Sequence, residues 1–310
     1  MANEHIELYK PWDVDRAKDK VFFVSRKLDG VPVRIRKLSG KTFAWSRQGE
    51  LITSIPHIIP YASHMIAEGG SVIGELHIEG MPFKDISGLV RRKVGNAETA
   101  QLVFNVFDFD ILNSPEAPYA KRWQEFDYSF RAFREREKIE PPACPVRLMP
   151  HIIAHGPNMV QRAFETIMEA NPNAEGAVAH WIGKPFQPGT RRWDTMKLKP
   201  HETLDVEVVG YEEAVDKYKR PKDMVGGVVI KLWQLVNGVL VYKITNVGPG
   251  CMTLRERKIE WAKFKQGKFT PRIAEVHSMP DYTYDGLREG RWIRWRDDKK
   301  EPDVRQRKVA

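Results

Sequence analysis

The chain reads Val21-Phe22-Phe23-Val24-Ser25-Arg26-Lys27-Leu28-Asp29-Gly30 close to its beginning, and this stretch governs how the rest is interpreted. An apolar run of this kind is typical of a buried β-strand, and the Asp-Gly pair that closes it is typical of a tight turn. The strand therefore directs Lys27 inward, whereas surface lysines usually lie on helices or loops. On its own, a Lys-x-Asp-Gly pattern recurs by chance in many proteins. It gains its meaning from other motifs further along the chain.

Length and composition are those of a soluble globular protein. The chain has 310 residues, of which 42% are apolar and 29% are charged, enough for one large domain or two ordinary ones. No stretch approaches the ~18 consecutive apolar residues of a membrane span. Residues 1–5 do not resemble the start of a secretory signal. We therefore expect a cytoplasmic protein with no membrane partner.

The charge and the cysteines narrow the function further. A net charge of +9 and a pI near 9.4 favour a polyanionic partner such as nucleic acid, although a merely basic, soluble surface is the alternative. Cys144 and Cys251 are the only cysteines, which excludes a disulfide framework and a four-cysteine zinc site. A reducing compartment is therefore expected.

Hydrophobic periodicity predicts short strands and several helices that do not alternate as βαβ units. The predicted strands cover residues 21–25, 33–37, 43–46, 71–78, 102–112, 177–180, 205–211, 227–232 and 239–246. The predicted helices cover residues 56–67 and 121–138, a segment that opens at Asn158, and a segment from a Thr253–Glu256 capping box to Gly267. Asn237-Gly238 predicts a type I′ hairpin turn. The pattern favours an α+β fold with mostly antiparallel sheets, and we expect the polar residues 303–310 to fray.

The predicted domain boundary follows Lys199-Pro200. The ~110 residues beyond it contain several short strands and one capped helix, which suits a small barrel such as an OB-fold. We therefore expect two domains, residues 1–199 and residues 200–310.

Six further motifs follow the lysine motif along the chain. They are Ser46-Arg47, Gly74-Glu75-Leu76, Phe107-Asp108, Glu175-Gly176, Lys197-Leu198-Lys199-Pro200 and Arg296-Asp297-Asp298-Lys299. In this order they resemble the covalent nucleotidyltransferase superfamily, and specifically the small two-domain ATP-dependent DNA ligases. The resemblance implies an antiparallel-sheet nucleotidyltransferase domain followed by an OB-fold β-barrel domain. Its most specific elements are Lys-x-Asp-Gly and the spacing of Trp193, Lys197 and Lys199.

The resemblance implies a reaction in three steps. ATP adenylylates Lys27, the AMP passes to the 5′-phosphate of a DNA nick, and the 3′-hydroxyl then attacks. The lysine amine must be neutral to attack, and because its ordinary pKa is roughly 10.4, desolvation or nearby positive charge is needed. Asp29 would bind the ribose or help to activate the 3′-hydroxyl. Lys197 and Lys199 point to one face of a strand and would clamp the α-phosphate.

The remaining motifs of the first domain imply contacts to ATP and to a divalent metal. Ser25 and Phe107 would contact adenine, Phe107 by stacking, although a core phenylalanine is the alternative. Arg47 would hold the AMP and the 5′-phosphate of the nick, since an arginine fork suits bidentate phosphate contact. Glu75 and Glu175 would contact the ribose and coordinate Mg²⁺ or Mn²⁺, which prefer carboxylate oxygens.

Three positions depart from the family pattern. Pro32 stands where the first motif usually has an arginine, which leaves Arg34 and Arg36 as candidates for its phosphate-positioning role; we assign Arg34 to the nucleotide. Ile73 stands where an aspartate is usual, so that carboxylate is missing or replaced. His180 ends the apolar strand that follows Glu175-Gly176, where lysine or arginine is usual, and we interpret it as structural.

Two basic segments of the second domain complete the prediction. Arg296 and Lys299 resemble the C-terminal motif whose basic residues orient the β- and γ-phosphates of ATP, although a solvated charge run is the alternative. A basic loop with one aromatic residue suits phosphate contacts that position DNA without reading its sequence. The cations of this loop are Lys217, Lys219, Arg220 and Lys222. The expected partner is nicked double-stranded DNA, and the expected state is a monomer.

Three alternatives share part of this pattern. An mRNA capping guanylyltransferase has the same Lys-x-Asp-Gly and an OB-fold, but residues 247–250, Val-Gly-Pro-Gly, look more like ligase OB domains. An RNA ligase usually has serine or threonine where Val31 stands. A non-catalytic nucleic-acid-binding module would need no buried Lys27.

Overall fold

The computed structural model describes residues 6–111, 114–140, 143–172, 174–280 and 285–307. The chain folds into two compact units, Met1–Lys199 (unit 1) and Pro200–Ala310 (unit 2). Their sheets are mainly antiparallel and are accompanied by helices, which confirms the predicted α+β fold class.

Unit 1 contains two five-stranded sheets and five α-helices among its described residues. The strands are β1 (Lys10–Pro11), β2 (Val21–Lys27), β3 (Val31–Leu38), β4 (Lys41–Ser46), β5 (Ser71–His77), β6 (Val103–Phe109), β7 (Val146–Leu148), β8 (His151–His155), β9 (Gly176–Trp181) and β10 (Thr195–Leu198). The helices are α1 (Val14–Ala17), α2 (Ile59–Met65), α3 (Phe83–Val90), α4 (Tyr119–Arg136) and α5 (Gly156–Ala170).

The first sheet has the strand order β1-β10-β9-β2-β8, and its pairs are antiparallel except for β1 with β10. Side chains alternate between the two faces of β2. Phe22 and Val24 are fully buried and share a core cluster with Val160 and Ala163 of α5. Ser25 and Lys27 therefore face away from α5, which frees this face of the sheet for chemistry.

The second sheet has the order β4-β3-β5-β6-β7, and only its β6–β7 pair is parallel. Its core joins Phe104 of β6 to the buried phenylalanines of α4, which recur at helical spacing, Phe126, Phe130 and Phe133. Burial of these rings stabilises the sheet because each removes a large apolar surface from water.

Unit 2 contains one sheet and one helix among its described residues. The elements are β11 (Glu202–Val215), β12 (Pro221–Val236), β13 (Val239–Val247), α6 (Leu254–Lys265), β14 (Arg272–Met279), β15 (Arg288–Trp295) and β16 (Val304–Arg307). Five strands follow the order β13-β12-β11-β14-β15, and β16 adds to β12 in parallel. The outer strands meet at an isolated bridge between Gly248 and Arg291. A buried cluster that includes Val206, Val228 and Trp292 fills the interior.

Two local predictions for unit 2 are confirmed. Asn237 and Gly238 have φ angles of 51° and 80°, and Val236 pairs with Val239, as a type I′ hairpin requires. The Thr253 hydroxyl accepts a hydrogen bond from the Glu256 backbone N–H, and the Glu256 carboxylate accepts one from the Thr253 N–H, so the capping box is formed.

Other local predictions were wrong or incomplete. Helix α5 begins at Gly156 rather than at Asn158, because Pro157 fits the first turn of a helix, where its missing N–H costs nothing. Residues 304–307 do not fray: they pair with β12, and the Arg305 guanidinium is buried and donates to the Gly286 carbonyl. Strands β14 and β15 were missed because charged residues interrupt their apolar pattern. The predicted strand 102–112 ends at Phe109, and residue 112 lies outside the described residues.

Candidate active site

Three neighbouring strands of the first sheet bring the predicted lysines and an acid together. Lys27 ends β2 opposite Gly176 of β9, so Glu175 stands directly before this pair. Leu198, the last residue of β10, pairs with Ala177, which places Lys199 at the same edge. The antiparallel register thus brings together side chains that lie nearly 150 residues apart in sequence.

Glu175 bridges the two lysines. One carboxylate oxygen pairs with the Lys27 ammonium, and the other accepts from Lys199 Nζ at 2.9 Å. The Glu175 side chain is only 9% exposed. Burial raises the pKa of this carboxyl, but the two lysines outweigh burial and hold the pKa below its ordinary value. Glu175 is therefore ionised at neutral pH.

Two motif glycines allow this close approach. Gly176 has φ +143°, and a Cβ there would collide with the Leu198 carbonyl of the neighbouring strand. A Cβ on Gly30 would collide with the Leu76 carbonyl and lie 2.9 Å from the Glu75 Cγ. With no side chain, the Gly30 N–H can bond to the Glu75 carboxyl. Each motif therefore needs glycine for packing as well as for its turn.

Glu75 reaches the same place from the second sheet. Burial raises the pKa of its carboxyl to about 8, and the charge of Glu175 adds to this effect, whereas Lys27 and Arg47 oppose it. Glu75 is therefore protonated at neutral pH. Two acids with opposite protonation states now border one site.

A cavity of about 30 Å³ lies between these groups. Besides Lys27 and Glu75, Ser25, Phe107, Val178 and His180 border it. We call it the lysine cavity. It is far smaller than the roughly 300 Å³ of a small ligand site, so a nucleotide could enter only if these side chains move apart.

Aromatic rings form one wall of the lysine cavity. Phe107 stacks on His180 with ring centres 6.1 Å apart, and Tyr9 meets both rings edge-on. Burial lowers the pKa of His180 well below its usual value, and the nearby Lys184 and Arg122 charges add to this. His180 is thus a neutral ring at physiological pH.

Three other predicted residues of unit 1, Lys197, Arg47 and Asp29, are not among the residues that border the lysine cavity. Lys197 pairs with Val178 across β10 and β9, on the face that carries Ser25. Arg47 is close enough to lower the pKa of Glu75, and the charge of Asp29 acts on His77.

Arg34 does not border the lysine cavity. It is 5% exposed, donates to the Ser71 hydroxyl at 3.0 Å and lies over the Phe186 ring. The register explains this, because Pro32 stands opposite Glu75 while Arg34 stands opposite Ile73, two pairs further from the site. Two of the three departures from the family pattern, Pro32 and Ile73, thus fall on this one pair of strands.

In unit 2, Arg296 and Lys299 are held by carboxylates. Arg296 Nη1 contacts both oxygens of Asp205 at 2.9 and 3.0 Å, and its Nε and Nη2 donate to Asp298 at 2.9 and 2.8 Å. Lys299 pairs with the same Asp205, whose side chain is 4% exposed. Hydrogen bonding to Asp298 raises the pKa of Arg296, and bonding to Asp205 raises that of Lys299. Both cations border a cavity of about 690 Å³.

The predicted basic loop is organised by Asp216. Its carboxylate accepts from the backbone N–H groups of Tyr218 and Arg220 at 2.7 and 3.0 Å and from Arg220 Nε at 2.7 Å. Lys217 and Arg220 lie over the Tyr218 ring at 4.8 and 5.3 Å. All four cations, Lys217, Lys219, Arg220 and Lys222, are exposed.

Comparison with known proteins identifies the family. Residues 10–199 match the family model described as ATP dependent DNA ligase domain. The chain belongs to this family. The DNA ligase of Saccharolobus solfataricus is 29% identical over 208 residues, which cover 60% of this chain and 33% of that protein. The probable DNA ligase of Dictyoglomus thermophilum is 25% identical over 268 residues, covering 78% and 42%.

Solved DNA ligases share the fold of this family member. A Lig E DNA ligase has a TM-score of 0.64 at 16% identity, and the match covers 94% of this chain and 99% of that one. The ATP-dependent DNA ligase of bacteriophage T7, in complex with ATP, has a TM-score of 0.54 at 17% identity, with the same coverage. At these identities the likeness concerns the fold. The chain spans about a third of the length of the Saccharolobus solfataricus ligase.

The sequence did not reveal a buried charge network in the ligase domain. Arg122 of α4 is fully buried, donates to both oxygens of Asp108 at 2.9 and 3.0 Å, and bonds the Lys184 carbonyl at 2.9 Å. Lys184 in turn pairs with Glu7 and lies 3.4 Å from Asp108. An arginine four residues before Phe126, on the apolar stripe of α4, is the one signal that could have indicated it. The network fixes β6, which carries Phe107.

Potential metal ligands in the ligase domain are few. Among the described residues, no group of three or more His, Cys, Asp or Glu side chains is placed to hold an ion. Glu75 borders the lysine cavity, and Glu175 is close enough for its charge to act on Glu75, so two carboxyl groups lie near one another here. Mg²⁺ usually takes one or two carboxylates and completes its shell with water and phosphate, so this pair fits a metal that arrives with a nucleotide. Within the part of the chain that the structure describes, no helix is long and apolar enough to cross a membrane.

Proposed function

We propose that this protein is an ATP-dependent DNA ligase that seals 5′-phosphate/3′-hydroxyl nicks in duplex DNA. The carrying observation is the bridge from Lys27 through Glu175 to Lys199, set on three adjacent strands of a ligase-family domain. A nucleophilic amine, an ionised acid and a second cation in one ion-pair cluster are the groups that lysine adenylylation requires.

In the first step the Lys27 ammonium loses one proton to solvent, and the lone pair of the resulting amine attacks the α-phosphorus of ATP. The new N–P bond replaces the P–O bond to pyrophosphate, and the departing proton has a ready acceptor in the paired Glu175 oxygen. Lys199 and Lys197 stabilise the negative charge that grows on the α-phosphate. Glu175, and Glu75 once it has lost its proton, would hold Mg²⁺, which when bound supplies positive charge against the phosphates.

The adenine would lie against Phe107, with Ser25 at its edge, after the lysine cavity opens. Arg47 lies near Glu75 and would hold the AMP phosphate and the 5′-phosphate of the nick. Asp29 would serve the ribose or the attacking 3′-hydroxyl in the last step. Arg34 bonds Ser71 instead, so it is given no nucleotide contact in this proposal.

The second unit would complete the reaction as an OB-fold domain, residues 200–310. Arg296 and Lys299 would orient the β- and γ-phosphates, and the loop cations would contact the DNA backbone. A cytoplasmic monomer remains a prediction.

Incubation of the protein with labelled ATP or GTP and Mg²⁺ tests this proposal. We expect covalent label from ATP only, and transfer of the labelled AMP to a 5′-phosphorylated nick that is then sealed. Label from GTP would point to the capping reaction. Sealing of nicked RNA but not of nicked DNA would point to an RNA ligase. If neither nucleotide labels the protein, a non-catalytic nucleic-acid-binding module is the remaining interpretation.

The basic loop should weaken DNA binding when its charge is removed. Replacement of the four loop cations by alanine should flatten the dependence of log affinity on log salt, by roughly 0.9 for each phosphate that the loop no longer neutralises. AMP labelling should survive, since the first step needs no DNA. The measurement is titration of nicked duplex at several salt concentrations. The substituted cations are Lys217, Lys219, Arg220 and Lys222.

A matched control removes four cations from and around helix α6 in the same unit. If both variants lose equal slope, the loop contributes only general charge; an unchanged slope in the loop variant would make it a solvated turn. The control cations are Arg255, Lys258, Lys265 and Lys268.

Glu75 should make stability fall as the pH rises. Its pKa is about 8 in the fold against 4.5 for an ordinary glutamate, so between these values the unfolded chain has lost a proton that the folded chain keeps. The free energy of unfolding should therefore decrease by on the order of 3 kcal/mol from pH 4.5 to pH 8 through this group. Urea unfolding of wild type and Glu75→Gln at pH 5 and pH 9 measures it. The variant should gain stability relative to wild type at pH 9; an equal difference at both pH values contradicts the assignment.

A further inference from the structure

Unit 1 holds a second cavity, of about 440 Å³, next to the lysine cavity. We call it the accessory cavity. It continues the same cleft: β5 places Glu75 in the lysine cavity and His77 in the accessory cavity, and β6 does the same with Phe107 and Asn105. Its volume falls in the range of roughly 300–1,000 Å³ that small-molecule sites occupy.

The walls of the accessory cavity are mainly apolar. Val24 of β2 and Leu28, the residue after β2, line it. Ile152 of β8 and Ile167 of α5 complete its apolar walls. Such walls favour a ligand with an apolar body, because filling the cavity removes apolar surface from water on both partners.

Of the two arginines that line the accessory cavity, one is paired with a carboxylate of the described residues and the other is not. Arg26 is neutralised, since its two terminal nitrogens bond Glu79 at 2.9 and 3.0 Å and one also bonds Asn171 at 3.1 Å. Arg147 is exposed on β7, in register with Asn105, and no acid of the described residues pairs with it. The cavity thus combines apolar walls with one available guanidinium.

Two buried polar groups add places for hydrogen bonds. His77 is 8% exposed, and its ring nitrogens can donate or accept hydrogen bonds. Arg26 Nε is buried and has no hydrogen-bond partner among the described residues. A buried donor of this kind is costly unless a ligand or water satisfies it.

We propose that the accessory cavity binds a small organic anion: a flat, apolar ring system with one sulfonate, carboxylate or phosphate group at Arg147. The ring would lie between Val24 and Ile167. Leu28 and Met149 line both cavities, so an occupant would oppose the opening of the lysine cavity and slow lysine adenylylation. This effect on adenylylation rests on the proposed function; the binding does not.

The test uses two fluorescent probes of similar shape, the anionic 8-anilinonaphthalene-1-sulfonate and the neutral N-phenyl-1-naphthylamine. We expect the anion to saturate at one equivalent. Arg147→Glu should lower the affinity for the anionic probe by about tenfold or more, because a charge-assisted hydrogen bond is lost. The affinity for the neutral probe should hardly change. Ala170→Trp, at the exposed rim, should weaken both. Arg162→Glu and Glu169→Trp, on exposed positions of α5 outside the cavity, are the matched controls.

The proposal is overturned if neither Arg147→Glu nor Ala170→Trp changes the affinity for the anion, or if their controls change it equally. A second arm adds labelled ATP. The anion should slow covalent labelling of wild type but not of Ala170→Trp; equal slowing in both, or none in wild type, overturns the effect on adenylylation. A protein that takes no label at all contradicts the proposed function and leaves the binding result standing.

Discussion

Lys27→Ala should abolish covalent labelling by ATP and the sealing of ordinary nicks. Lys27 lies at the end of β2, at the border of the lysine cavity, and is paired with Glu175 in a site that also holds Lys199. Alanine removes the amine that forms the phosphoramidate, and Lys199, the other amine paired with Glu175, does not border the lysine cavity and so is not placed to replace it. The label should fall below detection on a denaturing gel. Normal labelling of the variant would remove Lys27 from the mechanism.

Two comparisons separate lost chemistry from lost folding. Lys18→Ala changes an exposed lysine of the same unit, paired with Asp15 at 2.7 Å, and should label as wild type does. A chemically pre-adenylylated nick needs no lysine–AMP, so Lys27→Ala should still seal it. If the variant fails on this substrate as well while keeping its fold, Lys27 also acts in the later steps.

The catalytic cluster could be predicted because its information is local. The alternation of buried Phe22 and Val24 predicts which face of β2 is buried, and Lys197 and Lys199 show the same two-residue spacing. The family resemblance then predicted that these residues belong to one site. The antiparallel register of β2, β9 and β10 brings the three motifs to the same edge of the sheet.

The parts that escaped prediction depend on partners distant in sequence. Nothing near Arg122 in sequence shows that Asp108 and the Lys184 carbonyl surround it. Arg34 could not be placed because its direction is set by which residue of β5 stands opposite it, and that residue, Ile73, lies two pairs away from Glu75. The accessory cavity arises where β2, β6, β7, β8 and α5 meet, and no single segment encodes such a space.

Arg296→Ala and Lys299→Ala should separate the steps of the reaction. Both cations would act on the pyrophosphate, which leaves only in the first step. We therefore expect self-adenylylation to fall roughly 10²–10³-fold, the usual cost of removing one group that stabilises developing charge. Sealing of a pre-adenylylated nick should stay close to that of wild type.

The carboxylates around these cations make the result more informative. Asp205 is buried and touches both Arg296 and Lys299, so removal of either cation leaves it with one partner and unit 2 could lose stability. Unfolding would impair sealing and adenylylation alike, whereas a role in the first step impairs only adenylylation. Arg294→Ala is the matched control: Arg294 lies two residues earlier, its side chain is 64% exposed, and it pairs with Glu275 at 2.8 Å, a carboxylate that Arg296 approaches only to 3.8 Å. Equal loss in both assays for Arg296→Ala and Lys299→Ala, with Arg294→Ala unaffected, would assign the pair to the structure of unit 2 or to DNA binding rather than to the leaving pyrophosphate.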